Sequence, residues 1–436
     1  MPILRRPVRV RWWIFTFMFL FAMLSYVQRT SILDAAVYIE PQLNLSQLAI
    51  TLLSLAFVIT YAVMQVPAGV FGQKYGARFT YFLVGLIGLV ATIATPVAPM
   101  VLGGTALFAM LVVSQIVLGI SQAPVFPVFA GVCEPWFPPS QWSFANGLQS
   151  SGMTLGTAVT PIVIVLLTEK FGWQGALLWI ALPATALTLL WVWYGRNSPK
   201  EHKAVTAEEI AELGEVASDK PAPMTLARLW RIARDRNVLL LTVSYTSMNY
   251  LFYLLGYFPF LYLAQKRHLT DLQSGWLAMV PPIGAAIGSA VGGALSDRAV
   301  KRYGVRRGYA VVPIISLPLA GIALVVAVHC DSEYAAVAAL ALAFAGVEIT
   351  EGPFWAATMQ IARSDTMAAT GVLNTGGNIG GIIAVPTIGF LSGRGHWDAA
   401  ILIGAGFAVV AAALWFLVDP SRRAVTEGPA QPVPTL

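Results

Sequence analysis

Gly69-Val70-Phe71-Gly72-Gln73-Lys74 recurs as Gly293-Ala294-Leu295-Ser296-Asp297-Arg298, 224 residues further on, counted from Gly69 to Gly293. A second landmark keeps the same spacing: Gly147, Gly152 and Gly156 return as Gly371, Gly376 and Gly380. Two unrelated features sharing one offset mark a duplicated unit. Composition says what the unit is made of. Of the 436 residues, 57% are hydrophobic and only 11% charged, whereas a soluble domain covers itself with about 25% charged residues. Apolar stretches of about 18 residues or more recur along the chain, each long enough to cross a hydrocarbon core. They are continuous rather than alternating, which excludes the strands of an outer-membrane barrel. The expected class is an all-α polytopic membrane protein.

The apolar stretches place helices near 12–33, 47–70, 79–101, 105–127, 142–167 and 173–195. A second set falls near 236–264, 272–296, 308–328, 333–356, 366–391 and 397–418. Twelve transmembrane helices in two pseudo-symmetric six-helix bundles follow, with units at 1–195 and 236–418. A polar linker spans 196–235, with a surface helix expected near Thr206-Ala207-Glu208-Glu209-Ile210, and 419–436 is a tail. Basic residues set the orientation. Arg5, Arg6, Arg9 and Arg11 precede the first helix, Lys74 and Arg78 follow the second, and eight Lys/Arg lie in 196–236 and five in 298–307. The opposite loops hold Lys170, Lys266, Arg267 and Arg394, so both termini are expected in the cytoplasm. This alternation accounts for the net charge of +6 without nucleic acid. The first span lacks a small-residue cleavage site and is expected to be retained. Cys133 and Cys330 fall near opposite faces, so no mutual disulfide is expected, and neither a metal cluster nor a cofactor motif is found.

The loop Gly69-x-x-x-Gln73-Lys74-Tyr75-Gly76-Ala77-Arg78, with its copy around Asp297 and Arg298, resembles the signature loop of the major facilitator superfamily. That resemblance implies parallel six-helix repeats around a central site, with the loop charges holding one gate conformation. Gly69, Lys74, Gly76, Arg78, Asp297 and Arg298 are the residues it assigns. Gln73 replaces the usual acid, so a weaker latch is expected in the first half. Within the superfamily the chain resembles the anion:cation symporters, carriers of sugar acids and other organic anions. Tyr26-Val27-Gln28-Arg29-Thr30, Tyr61-x-x-x-Gln65-x-Pro67-x-Gly69, Gly119-Ile120-Ser121-Gln122-Ala123-Pro124 and Asn374-Thr375-Gly376-Gly377-Asn378 carry the likeness. The departures are Gln28 and Gln122, where that family has acids, and Gln115, where it has an arginine. A glutamine cannot bind and release a proton near neutral pH.

Arg29 is the basic residue inside an apolar span, where a cation costs roughly 2.5–3.5 kcal/mol on insertion scales. Its guanidinium fork suits a carboxylate; the alternative is an arginine snorkelling to the helix end. Tyr26, Gln28, Tyr61, Gln122, Asn374 and Trp355 are the other candidate binding residues, each also explicable as packing or interhelical hydrogen bonding. Glu348 and Glu351 lie three apart on the tenth helix, hence on one face, and Pro353 is expected to break or bend that helix. Mutual repulsion in a low-dielectric cavity favours a shared proton, which makes them the coupling candidates; a structural pair, or an ion pair with Arg29, is the alternative. Asn249, Tyr253 and Tyr257 are candidates for closing the extracytoplasmic gate, while Asp34 and Glu40 are expected to face water. The expected function is a monomeric inner-membrane carrier, not an enzyme, importing a small hydroxylated organic anion with proton coupling. An uncoupled facilitator, an anion exchanger or a non-transporting sensor are the alternatives.

Overall fold

The computed structural model describes residues 9–213 and 224–424. Arg5, Arg6, the 214–223 part of the linker and the 425–436 part of the tail lie outside the described residues. Nine helical runs among the described residues are long and apolar enough to cross a membrane. Three of them, Pro139–Tyr194, Gln273–His329 and Glu333–Ser392, are 56, 57 and 60 residues long. Straight, such a run would measure more than about 80 Å, far beyond a bilayer core. Each turns back once. The turns fall at Gly172 (φ 68°, ψ 167°), Gly304 (φ 78°, ψ 170°) and Arg363 (φ 36°). The two glycines take a left-handed backbone that a Cβ would strain.

Twelve spans result. They are α1 Val10–Asp34, α2 Gln47–Tyr75 and α3 Ala77–Val101. Next come α4, Gly104–Gln122 resumed as Val125–Trp136, then α5 at 142–171 and α6 at 173–194. The second set starts with α7, Arg236–Tyr257 resumed as Pro259–Lys266, and α8, Asp271–Ala278 resumed over 280–303. It ends with α9 at 305–329, α10 (Glu333–Glu348, then Glu351–Ala362), α11 Thr366–Ser392 and α12 Trp397–Trp415.

Two local corrections have plain causes. Arg11, expected before the first helix, lies in the first turn of α1, because the Glu209 carboxylate accepts from the backbone N–H groups of Val10 and Arg11 at 3.2 and 3.0 Å. That acid belongs to the expected surface helix, Ala207–Leu213, whose Glu212 also pairs with Arg9. The charges therefore do what helix N-termini favour. A second linker helix, Leu226–Arg234, was not foreseen; its Thr225 side chain caps it. The other correction concerns α10, which breaks between Glu348 and Glu351. Pro353 brings no N–H to the Ile349 carbonyl and its ring crowds it, so Glu348 and Glu351 do not share one continuous helical face.

At the end of the bundle where α1 begins and α12 stops, here the terminal end, the two halves are closed on each other. There α2 packs on α11, and α5 packs on α8 and α10. Glycines of the repeated landmarks sit at these crossings: Gly147 lies against the Ser289 carbonyl, Gly293 against that of Ser143 and Gly371 against that of Gln65. A side chain there would hold the halves apart.

Candidate functional site

A cavity of about 40 Å³ lies between the halves, lined from one side by Tyr26, Arg29 and Tyr61 and from the other by Tyr245, Glu351, Trp355 and Asn374. It has room for two or three waters. Arg29 is half-buried there. Its guanidinium carbon stands 4.0 Å from the Tyr26 ring centroid, 4.5 Å from Tyr61 and 5.1 Å from Phe57. Cation–π attraction of about 0.5–2 kcal/mol per ring offsets much of the cost of burying the charge. The Arg29 Nε donates to Gln122 Oε1 at 3.2 Å, and Nη2 is buried with no acceptor among the described residues. No ion pair ties Arg29 to a carboxylate among the described residues. The arginine is neither snorkelling nor statically neutralised.

Gln28 and Gln122 stand behind the cavity wall rather than in it. Gln28 precedes Arg29 by one residue, about 100° around the helix, and so turns to α3, where its Nε2 donates to Thr92 Oγ1 at 3.1 Å. Gln122 Nε2 donates to Gln28 Oε1 at 3.3 Å. The result is a neutral relay, Thr92–Gln28–Gln122–Arg29, at the two positions where carboxylates were missing. An acid at Gln122 would sit on the guanidinium; the amide orients it and leaves its charge uncompensated.

The opposite wall is built on the break in α10. Glu351 accepts from the Tyr245 hydroxyl at 3.0 Å and from the Trp355 indole at 2.7 Å, and Ser150 also reaches it. Trp355 is thus fixed by the carboxylate one turn before it while still lining the cavity. Glu348 does not line it. Fully buried, it accepts from the Ser289 hydroxyl of α8 at 2.9 Å. The two acids thus have different partners, although Glu348 stays within electrostatic reach of Glu351.

Asn374 joins the halves. Its Nδ2 donates to Gln65 Oε1 at 2.9 Å and to the Tyr61 hydroxyl at 3.4 Å. Asn378 continues the line, accepting from the Tyr253 hydroxyl at 3.4 Å, and Tyr253 stacks on Tyr257 with centroids 5.3 Å apart. Tyr257 is 45% exposed, on the side away from the terminal end. Asp34, expected to face water, is half-buried near that tyrosine, its Oδ2 buried and unpartnered among the described residues.

Sequence reasoning missed Tyr245, Gln65 and Phe57. Tyr245 was within reach of it, because Tyr245, Asn249, Tyr253 and Tyr257 follow one another at spacing four on α7, a single polar stripe. Gln65 belongs to the Tyr61-x-x-x-Gln65 element noted in the sequence, whereas Phe57 carries no local signal; packing brings them to Asn374 and Arg29.

The loop residues act at the terminal end. Asp297 accepts from the backbone N–H groups of Ser143 and Phe144 at 3.1 and 2.9 Å, capping α5 of the other half. In the first copy the roles are exchanged: Gln73 Nε2 donates to Asp365 Oδ1 at 2.8 Å and to the Ser364 carbonyl at 3.1 Å. Asp365, fully buried at the start of α11, is also paired with Arg228 of the linker helix at 3.0 Å. The acid thus sits on the far side of the contact, and the linker holds it. Gly76 (φ 84°) turns the chain so that the Arg78 N–H reaches Asn197 Oδ1 at 2.9 Å, and Arg78 Nη2 donates to the Val192 carbonyl at 2.6 Å. Lys74 and Arg298 are exposed, and Gly69 packs on the Met367 backbone.

A probable sulfoacetate transporter of Cupriavidus necator is 29% identical over 96% of this chain and 96% of its own. A hexuronate transporter of Bacillus subtilis is 26% identical over 91% of each chain. Among solved structures, the proton:xylose symporter XylE superposes with a TM-score of 0.75 at 12% identity, covering 96% of this chain and 98% of that one. That likeness is one of fold. The profile of the Major Facilitator Superfamily matches residues 18–368, the greater part of the chain. With twelve spans, a cavity between the halves and the latched terminal end, the chain is a multi-pass membrane transporter, not an enzyme, and belongs to the Major Facilitator Superfamily.

Proposed function

We propose that this protein imports a small organic anion, a hydroxylated sugar acid, across the inner membrane by alternating access and together with a proton. The observation that carries this reading is the caged Arg29 with a free, buried Nη2 on the cavity wall. A buried, unpaired guanidinium nitrogen is poised for an oxyanion, which takes two parallel charge-assisted bonds from such a fork. The names of the two relatives, transporters of sulfoacetate and of hexuronate, support an anionic cargo. Tyr61, Asn374 and Trp355, drawn from both halves, meet its hydroxyls and carbon face.

Glu351 is the proton carrier in this reading. It and Arg29 are the charged side chains lining the cavity. A bound anion cancels the arginine, and the carboxylate across the small cavity then favours its protonated form. Glu348 supports Glu351 from behind and meets no substrate. The 1–195 and 236–418 units rock about the cavity, and a monomer suffices. With the basic loops inside, the closed terminal end is the cytoplasmic gate, fastened by the Asp297 and Gln73–Asp365 contacts. Replacing Asp365 by alanine leaves Arg228 and Gln73 without their buried acceptor, a loss of about 3 kcal/mol or roughly 100-fold in the closed–open balance. Thiol labelling at Thr370→Cys, a position buried in the closed gate, is expected to rise at least about tenfold. Unchanged labelling would remove the latch from the mechanism.

A second reading rests on the neutral Gln28–Gln122 relay: an uncoupled facilitator or an exchanger, which needs no titrating acid at those positions. Proteoliposomes given labelled hexuronate, with and without an inward proton gradient and an uncoupler, separate the two. Accumulation that the uncoupler abolishes supports coupling; mere equilibration supports the facilitator. Absence of uptake for hexuronates, aldonates and sulfoacetate alike would end the organic-anion reading.

A further inference from the structure

The two halves differ at one junction where the duplication makes them comparable. Gly76 and Gly304 turn the chain with the same backbone, φ 84°, ψ 160° and φ 78°, ψ 170°. Six residues separate Asp297 from Gly304, and two separate Gln73 from Gly76, so the second copy carries about one extra helical turn. Counted from these glycines, Arg306 stands where the first half has Arg78. Trp415 lies 224 residues after Trp191, at the general offset of the repeat.

In the first half this junction is shut. The Trp191 indole donates to the Arg78 carbonyl at 3.1 Å, and Arg78 Nη2 donates to the Val192 carbonyl, tying α3 to α6. In the second half the corresponding bonds are not made among the described residues. Trp415 is 1% exposed, and its Nε1 is buried without an acceptor among the described residues. The Arg306 side chain is 64% exposed and leans on Asp419 at 3.8 Å. Between α9 and α12 lies a groove of about 530 Å³, lined by Trp415, Ala310, Ile314 and Phe416, with Arg306 and Arg307 at its rim. An adjoining hollow of about 380 Å³ adds Arg236, Arg422 and Arg423. Five arginines thus face two acids, Asp235 and Asp419. Of these, Asp235 is committed to capping α7, and Asp419 is shared by Arg306 and Arg422.

We infer that this groove binds an anionic phospholipid, its phosphate held by Arg306 and Arg307 and an acyl chain lying along Ile314 and Phe416. The layering carries the argument. Apolar side chains of the span lie on one side and arginines at the helix ends on the other, which matches a lipid's own division into tail and headgroup. Free phosphate would use the rim and leave the apolar groove bare.

Full-length protein in neutral detergent, titrated with phosphatidylglycerol or phosphatidylcholine and weighed intact by native mass spectrometry, tests this. Phosphatidylglycerol is expected to bind more tightly than phosphatidylcholine, and Arg306→Gln/Arg307→Gln to weaken it about thirtyfold, at about 1 kcal/mol per arginine. Arg394→Gln, which removes one charge at the opposite end, is expected to leave binding unchanged. Equal retention by the wild type and the double variant, or displacement of the lipid by millimolar inorganic phosphate, would overturn the assignment. Both arginines are exposed at the rim, so the variants are expected to fold, and an unchanged melting temperature checks it.

Discussion

Arg29→Gln is expected to lower uptake of an organic acid by about 100-fold or more, because truncating a buried charged partner costs 2–5 kcal/mol or more. Glutamine can still reach the Gln122 amide, so the local hydrogen bond and the volume of the side chain largely survive. What is lost is the charge that three aromatic rings enclose and the second guanidinium nitrogen that stands free. Arg29→Lys should recover part of the activity, since an ammonium keeps the charge but not the planar fork. Equilibrium binding, read from Trp355 fluorescence on the same cavity, separates loss of substrate from loss of motion. Binding that survives in Arg29→Gln within twofold would place the anion elsewhere.

Glu351→Gln has a different signature. Accumulation driven by a proton gradient is expected to fall about tenfold or more, to the level of equilibration, while exchange of labelled for unlabelled substrate persists. The amide still accepts from Tyr245 and Trp355, so the wall of the cavity keeps its shape. An acid that only built the wall would impair exchange and accumulation together. Glu348→Gln serves as the comparison, because that side chain lies on Ser289 behind the break and meets no cavity. Gradient-driven accumulation by Glu351→Gln equal to the wild type would remove Glu351 as the proton carrier and place the coupling on another group.

Much of the membrane architecture was legible because its causes are local and repeated. Continuous apolar runs and the 224-residue offset required no knowledge of packing. Helix ends were less legible: α2 runs on to Tyr75 and α5 to 171, since a helix can leave the apolar layer without stopping. For the site, Arg29 stood out because an isolated cation in an apolar span has a cost that demands an explanation. The face assignments at Gln28 and Glu348 failed for two reasons. One residue of helical rotation carries Gln28 out of the cavity, and the break before Pro353 separates Glu348 from Glu351.

The order of apolar and polar residues along the chain determined by itself that it spans a membrane twelve times and that its two halves are copies. It also marked Arg29 as a charge needing a partner. What that partner is not, and which groups hold the arginine ready, was decided by the tertiary structure alone. Phe57, Tyr61 and Gln122 reach Arg29 from two other helices, and Tyr245 and Asn374 line the cavity from the other half. Spacing along one helix constrains its own face and says nothing about which foreign face is pressed against it. The same holds for Asp365 and Gln73, whose acid and amide exchanged places across the gate. A contact between halves depends on the pair, and either side can supply the charge.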